Sequence, residues 1–255
     1  MPVIDGAVES QSTSTSTSTE NRVLPRRERV RAMMREEILE AARKIVQDRG
    51  FEGLAMRPLA RAVGVTAPTL YDYFPSKEAV VGALFLQGIA LLHEAFDGAE
   101  VASAPGVARL QAIFNAYRAF GITHPDLYQL MFGRIDPSFK PDETAIERAG
   151  TIPQRACRAV SDAMELGEIR PGDVDQVMNA IWVMAHGHVM LEINGFCEKK
   201  PQFGDGFEMY QNNFWIMFTG MEPRADGSTI TERPQGFPIF RADDSGRTTS
   251  RSIGP

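Results

Sequence analysis

Residues 57–74 read RPLARAVGVTAPTLYDYF, two short helical patterns joined at Gly64-Val65-Thr66, in the proportions of a helix-turn-helix. Gly64 suits the tight turn because it tolerates positive φ. Val63 and Val65 can fill the angle between the two helices, and Thr66 can cap the second. Pro68 is acceptable in that helix's first turn, where its missing N–H has no partner to lose. Leu70 and Phe74 lie four apart and face inward, leaving Ala67, Pro68, Thr69, Tyr71, Asp72 and Tyr73 on the other faces. As a recognition helix it would put Ala67, Pro68 and Thr69 against thymine methyls in the major groove, while the Tyr71 and Tyr73 hydroxyls reach phosphates. The plainer alternative is that the aromatics only cover the core of a helical hairpin.

Working outward, the apolar spacing is helical throughout the middle of the chain, and no window shows the sustained alternation of strands. The expected fold is all-α, with a small helix-turn-helix unit followed by a larger helical one. A first helix is expected from about Arg31 to Arg49, with Ile38, Ala41, Ala42, Ile45 and Val46 on one stripe and Gly50 as its stop. A long helix follows the candidate N-cap Ser76 and should end near Gly98. Further helices are expected from about residue 107, stopped by His124-Pro125, and over about 142–167, 173–196 and 205–221. Residues 1–20, with their Ser-Thr alternation, and residues 223–255 have no helical periodicity and read as tails without a packed core. The expected units are therefore 21–77 and 78–222, flanked by those tails.

The net charge is −6, from 27 basic and 33 acidic residues among 255, which taken whole disfavours a nucleic-acid partner. Its distribution reverses that inference. Residues 20–77 carry twelve Lys or Arg against eight acids, a balance of +4, and the rest of the chain carries 15 against 25, a balance of −10. Arg22, Arg26, Arg27, Arg29 and Arg31 fall just before the first helical stripe, as an arm along a phosphate backbone would; a solvated linker would look the same. No secretory signal or membrane-spanning run is evident, so the expected place is the cytoplasm, and Cys157 and Cys197 read as free thiols.

The stretch from Ile38 to Lys77, with GFEGLAMRPLARAVGVTAPTLYDYFPSKEAV within it, resembles the DNA-binding domain of the TetR family of transcriptional regulators. That resemblance implies DNA contacts from Thr66, Pro68, Thr69, Tyr71, Tyr73 and Lys77, with Lys77 opening the fourth helix beside a phosphate. Three positions depart from the family pattern: Ala55 replaces a capping Ser or Thr, Pro58 an acid, and Ala67 a frequent Lys or Arg. Asp72 can accept from cytosine but is repelled by phosphate, so Arg57 and the arginine arm become the compensating candidates. Further on, Trp182, His186 and Gly187 resemble the Trp-His-Gly signature of one class of C-terminal domain in that family. Gly187 would let a neighbouring helix approach closely.

Aromatic and thioether residues Phe85, Phe114, Tyr117, Tyr128, Met131, Phe132 and Trp182 can line a cavity between helices, joined by His186 and by Gln87 and Leu91 on the long helix. A filled core has the same periodicity; the family resemblance implies a pocket for a small-molecule effector. His186 and His188 are two apart and point to nearly opposite sides, and His188 with Glu192 lacks a third ligand, so neither metal nor cofactor is expected. Phe207, Tyr210, Phe214, Met217, Phe218 and Met221 recur at threes and fours; paired with 173–196 across a two-fold axis they would form a four-helix homodimer interface. The expected function is a ligand-responsive regulator, a repressor that leaves a pseudo-palindromic operator when its effector binds. An activator of the same family and a protein-interaction module with weakened DNA binding are the alternatives. An enzyme would have to use His93, His124, His186 or His188, and no nucleophile motif, phosphate loop or complete metal set accompanies them.

Overall fold

A computed structural model describes residues 25–133, 139–197, 206–230, 239–242 and 248–251. Among these, nine α-helices build the molecule: α1 (Arg26–Arg49), α2 (Met56–Val63), α3 (Ala67–Tyr73), α4 (Lys77–Val101), α5 (Val107–Thr123), α6 (Pro125–Phe132), α7 (Glu143–Glu165), α8 (Val174–Ile193) and α9 (Gly206–Met221). The N-terminal tail expected over 1–20 and Arg22 of the arm lie outside the described residues.

Four helix starts carry a side-chain cap. The side chains of Thr66, Ser76, Asp142 and Asp173 accept from the amide three residues on, capping α3, α4, α7 and α8. Gly64 closes α2 in the left-handed conformation at φ 78°, which a side chain would strain. Ala55 opens α2 with no side-chain cap, as its substitution for Ser or Thr dictates.

Two helix boundaries and one strand pair differ from the sequence reading. Helix α1 begins at Arg26, so Arg26, Arg27, Arg29 and Arg31 are helical rather than an extended arm. Pro25 sits at its N-cap and Glu28 in its first turn favours the positive helix end, signals that outweigh the absence of an apolar stripe there. Helix α4 continues to Val101, past Gly98. Near the C-terminus β1 (Ile239–Ala242) pairs antiparallel with β2 (Thr248–Arg251), where β-branched and aromatic residues favour a strand. Residues 223–230 dock on the body: Ile230 donates its amide to the Pro171 carbonyl, and Arg170 reaches the Gly220 carbonyl and the Ser228 hydroxyl.

Helix α4 organises the packing and touches α1, α5, α6 and α7. Contrary to the sequence reading it is long and apolar enough to cross a membrane, yet Val80, Val81, Leu84, Phe85, Ile89, Leu92 and Phe96 are buried against those neighbours, as befits a core helix. At Gly88 a Cβ would lie 2.6 Å from the Met131 sulfur, so the glycine is what lets α6 lie close against α4.

Candidate DNA-binding head and apolar cavity

Helix α3 is fixed at both ends and open between them. Leu70 and Phe74 are buried at 0% and 1% exposure, as their spacing predicts, while Val63 and Val65 pack against the same core. At the N-terminal end the Thr66 hydroxyl accepts from the Thr69 amide and meets the Thr69 hydroxyl at 2.8 Å. At the C-terminal end two arginines of α1 hold the last carbonyls: Arg31 donates to Asp72 O at 2.8 Å and Arg35 to Tyr73 O at 2.6 Å. Their guanidinium groups also lie over the Tyr73 and Phe74 rings, at 5.1 and 4.1 Å from the centroids. A cation is favourable at a helix C-terminus, and this clamp escapes the sequence reading because it joins residues about 40 apart.

That anchoring leaves Thr66, Pro68, Tyr71 and Asp72 exposed and Ala67, Thr69 and Tyr73 half-buried, with Arg57 exposed on α2. Arg26, Arg27, Val30 and Arg31 surround a surface recess with Tyr73, so basic residues sit directly beside α3; Arg29 is exposed on the same helix. Lys77 is at the start of α4 as expected, but its ammonium donates to the Phe51 carbonyl at 3.1 Å, tying α4 to the turn before α2. It therefore acts on the position of the head in addition to any phosphate contact.

In the larger unit a cavity of about 370 Å³ lies among α4, α5, α6, α7 and α8. Phe85, Phe114, Tyr117, Met131, Phe132 and Trp182 line it as expected. Gln87, Leu91, Tyr128 and His186 do not. Phe85 and Phe96 share the inward stripe of α4, whereas Gln87 and Leu91, four apart, share another; Gln87 turns to Glu36 on α1, 3.5 Å away. Tyr128 and His186 stand one layer behind the wall, the His186 ring stacked on Trp182 at 5.4 Å and on Tyr128 at 5.6 Å. The sequence reading missed the α7 wall, Ala149, Ile152, Pro153 and Ala156, and on α8 Met178 and Asn179 beside Trp182, together with Phe96 and Ile113. A proline inside α7 was the visible signal, and Pro153 with Asn179 is solvent-exposed where the cavity opens.

The two units meet at a buried ion pair. Arg43 of α1 donates Nε and Nη2 to the Asp126 carboxylate at 2.7 and 3.0 Å, and Nη2 also meets His124 Nδ1 at 3.1 Å. Burial pushes the Asp126 carboxyl up, but the Arg43 hydrogen bonds and charge, helped by Gln47, hold it below its ordinary range. Burial and the Arg43 charge lower the His124 pKa, against the opposing pull of Asp126. Asp126 opens α6, whose Met131 and Phe132 line the cavity, so the pair links the cavity wall to the head.

The other candidate histidines have structural partners: His93 lies against Arg148 O and Thr151, and His188 meets Gly206 O through Nε2, 2.8 Å away. Glu192 is gripped by the Arg118 guanidinium, and no group of three metal-ligating side chains occurs among the described residues. Cys157 and Cys197 are not bridged by a disulfide. Gly187 is exposed, and a Cβ placed on it would meet no heavy atom of the described residues within 4 Å. It lies in a groove between α8 and α9 with Val183, Met184, Leu191 and Met209. On α9 only Tyr210, Phe214 and Met221 are buried; Phe207, Trp215 and Ile216 are exposed at 49%, 70% and 69%.

A capped helix-turn-helix bearing a basic flank, joined through one long helix to a helical unit with an apolar cavity, defines the class of helix-turn-helix transcriptional regulators. Comparison with known proteins agrees. Residues 38–84 match the family described as bacterial regulatory proteins, tetR family, and residues 110–210 match the tetracyclin repressor-like C-terminal domain. The chain belongs to the TetR family of bacterial transcriptional regulators.

Among curated relatives it is 27% identical over 153 residues to the HTH-type transcriptional regulator Rv1816 of Mycobacterium tuberculosis, covering 58% of this chain and 63% of that one. It is 26% identical over 151 residues to UidR of Escherichia coli K12, covering 57% and 74%. The chain thus spans about 63% of the length of the mycobacterial relatives it matches. Two solved structures share the fold. One is a protein of unknown function from Rhodococcus sp. RHA1, with TM-score 0.66, 22% identity and coverage of 81% of this chain and 100% of that one. The other is the TetR family regulator PfmR from Thermus thermophilus, with TM-score 0.59, 23% identity and coverage of 73% and 99%. Regulators, not enzymes, make up this family, in keeping with the histidines' structural roles.

Proposed function

We propose that this chain is a cytoplasmic, homodimeric, ligand-responsive repressor that binds a pseudo-palindromic double-stranded operator and is released when a small effector enters the cavity. The observation that carries the DNA reading is the anchoring of α3: capped by Thr66, clamped by Arg31 and Arg35, with Thr66, Pro68, Tyr71 and Asp72 exposed, Arg26 and Arg27 beside Tyr73, and Arg57 exposed on α2. A helix held this way can enter a major groove without losing order on binding. Tyr71 and Tyr73 with the arginines take phosphates, and Ala67, Pro68 and Thr69 take base edges. The units are those of the sequence, 21–77 as head and 78–222 as body, with the −10 balance kept on the body and the flanks.

The exposed apolar residues of α8 and α9, among them Val183, Leu191, Trp215 and Ile216, supply the dimer face, and Gly187 supplies a gap for close approach of the second chain. Two heads about 34 Å apart would then address successive major grooves. An effector bears on Phe85 and Phe96 of α4 and on Met131 and Phe132 of α6. Helix α4 begins at the contact of Lys77 with the head, and α6 begins at the Arg43–Asp126 pair, so both walls lead to the DNA-binding unit. Release requires the effector to bind the two arrangements unequally.

Selection of bound fragments from random double-stranded DNA tests this reading. It should return one motif with two inverted half-sites. Recovery of sequence-independent fragments, or of none, would favour the protein-interaction alternative.

A further inference from the structure

At the inner wall of the cavity two lining residues, Tyr117 and Trp182, join Tyr128 and His186 behind them in a small polar cluster whose hydrogen atoms can be counted. Tyr128 donates its hydroxyl to the Tyr117 oxygen at 2.8 Å, and Trp182 Nε1 donates to the same oxygen at 3.3 Å. Together these fill the acceptor capacity of Tyr117. Because the Tyr128 proton is already used, the 2.7 Å contact between Tyr128 and His186 Nδ1 must carry the imidazole proton, an assignment made from the network. A protonated Nδ1 cannot accept from Tyr117, 3.2 Å away. The Tyr117 hydroxyl proton is therefore without an acceptor among the described residues, although Tyr117 is only 3% exposed and lines the cavity. Running the chain the other way leaves a surplus too, since four donor protons face three links that can hold one; the spare proton then moves to His186 Nε2, on a residue that does not line the cavity.

The remaining surface restricts what can meet this donor. Phe85, Phe96, Ile113, Phe114 and Met131 are apolar, no charged side chain among the described residues lines the cavity, and Asn179 is the further polar lining residue, at the exposed end. A carboxylate or ammonium placed there would lose its hydration with no counter-charge to replace it. Burial pushes the Tyr117 phenol up to about 12, so it stays an O–H donor across the neutral range, and burial also lowers the His186 pKa.

We infer that the cavity takes an uncharged, mainly apolar ligand bearing one hydrogen-bond-accepting oxygen, of ketone or ether type, placed against the Tyr117 hydroxyl. This rests on the small-molecule reading of the cavity. The ligand oxygen replaces cavity water on the donor, and the aromatic walls enclose the rest of the ligand.

The test uses the full chain and three hydrocarbon skeletons, linear, bicyclic and diaryl, each as hydrocarbon, ketone and carboxylate, with affinities from calorimetry on wild type and Tyr117→Phe. The ketones should bind wild type and lose about tenfold in Tyr117→Phe, the size of one neutral hydrogen bond, while hydrocarbons of the same skeleton change less than about twofold. Carboxylates should bind most weakly. Equal losses for ketone and hydrocarbon, or preference for the carboxylates, would overturn the inference and leave the cavity reading standing; binding of none of the nine would overturn both. Should Tyr117→Phe fail to fold, the infrared carbonyl stretch of a carbon-13 labelled ketone bound to wild type decides. It should fall below its value in hydrocarbon solvent if Tyr117 donates, and an unshifted band would overturn the inference.

Discussion

Replacing Arg43 by alanine removes the cation that joins the DNA-binding head to the cavity wall. Asp126 is 3% exposed at its side chain and Arg43 19%, and the two make a bidentate contact. Removing one partner from a fully enclosed pair costs about 3–5 kcal/mol. Arg43 keeps some water, and Asp126 keeps the amides at the start of α6, so we expect about 2 kcal/mol. For a chain of this size that lowers Tm by about 4–8 °C. The pH dependence gives a second readout. The folded state holds the Asp126 carboxyl below its ordinary range, so the pair's contribution is present above the unfolded value and is lost as pH falls through the folded one. The difference between wild type and Arg43→Ala should be full at pH 7, begin to shrink below about pH 6.5 as His124, whose charged form Arg43 disfavours, takes up a proton, and fall further below about pH 4 as Asp126 does. Urea or thermal melts across that range measure it, with Asp126→Asn and the double variant completing a cycle. A loss under about 0.5 kcal/mol at pH 7, or one unchanged down to acid pH, would refute the ion-pair reasoning. Arg43→Ala should also bind operator with reduced response to effector, since one of the two links from cavity to head is cut.

Other substitutions probe the head and the dimer face separately. Thr66→Ala removes the cap of α3 and should cost about 1 kcal/mol of stability, with a parallel loss of operator affinity; Thr66→Ser should restore both in melts and gel shifts. Trp215→Ser with Ile216→Ser replaces two residues that are 70% and 69% exposed, so it should shift sedimentation toward monomer while leaving the far-ultraviolet spectrum helical. A dimer of unchanged affinity would remove α9 from the interface.

How much of this was legible in the sequence varied with how local the determining contact is. Helices α2 and α3 were readable to within a residue because Gly64, Thr66, Leu70 and Phe74 act within their own turn. The start of α1 was missed because its first turns carry arginines and no apolar stripe, although Pro25 ahead of them was a usable signal. In the cavity, periodicity identified aromatic positions on α4, α5, α6 and α8 but not which layer each would occupy; Tyr128 and His186 ended one layer back. Pro153 and the small residues Ala149 and Ala156 line the wall through the space they leave, which apolar spacing does not register. The clamp of Arg31 and Arg35 on α3 and the pairing of Arg43 with Asp126, 83 positions away, are contacts between elements, and no spacing rule along one helix reveals them.

The claim that matters most is that the positively charged head holds DNA despite the net charge of −6. Its most direct test is the salt dependence of affinity for a selected operator, measured by fluorescence anisotropy. If Arg26, Arg27, Arg29 and Arg57 of both heads reach phosphates, log K should fall against log salt with a slope of about −7, and about −4 for Arg26→Ala with Arg27→Ala. An affinity indifferent to salt, or a slope unchanged in that double variant, would contradict the account.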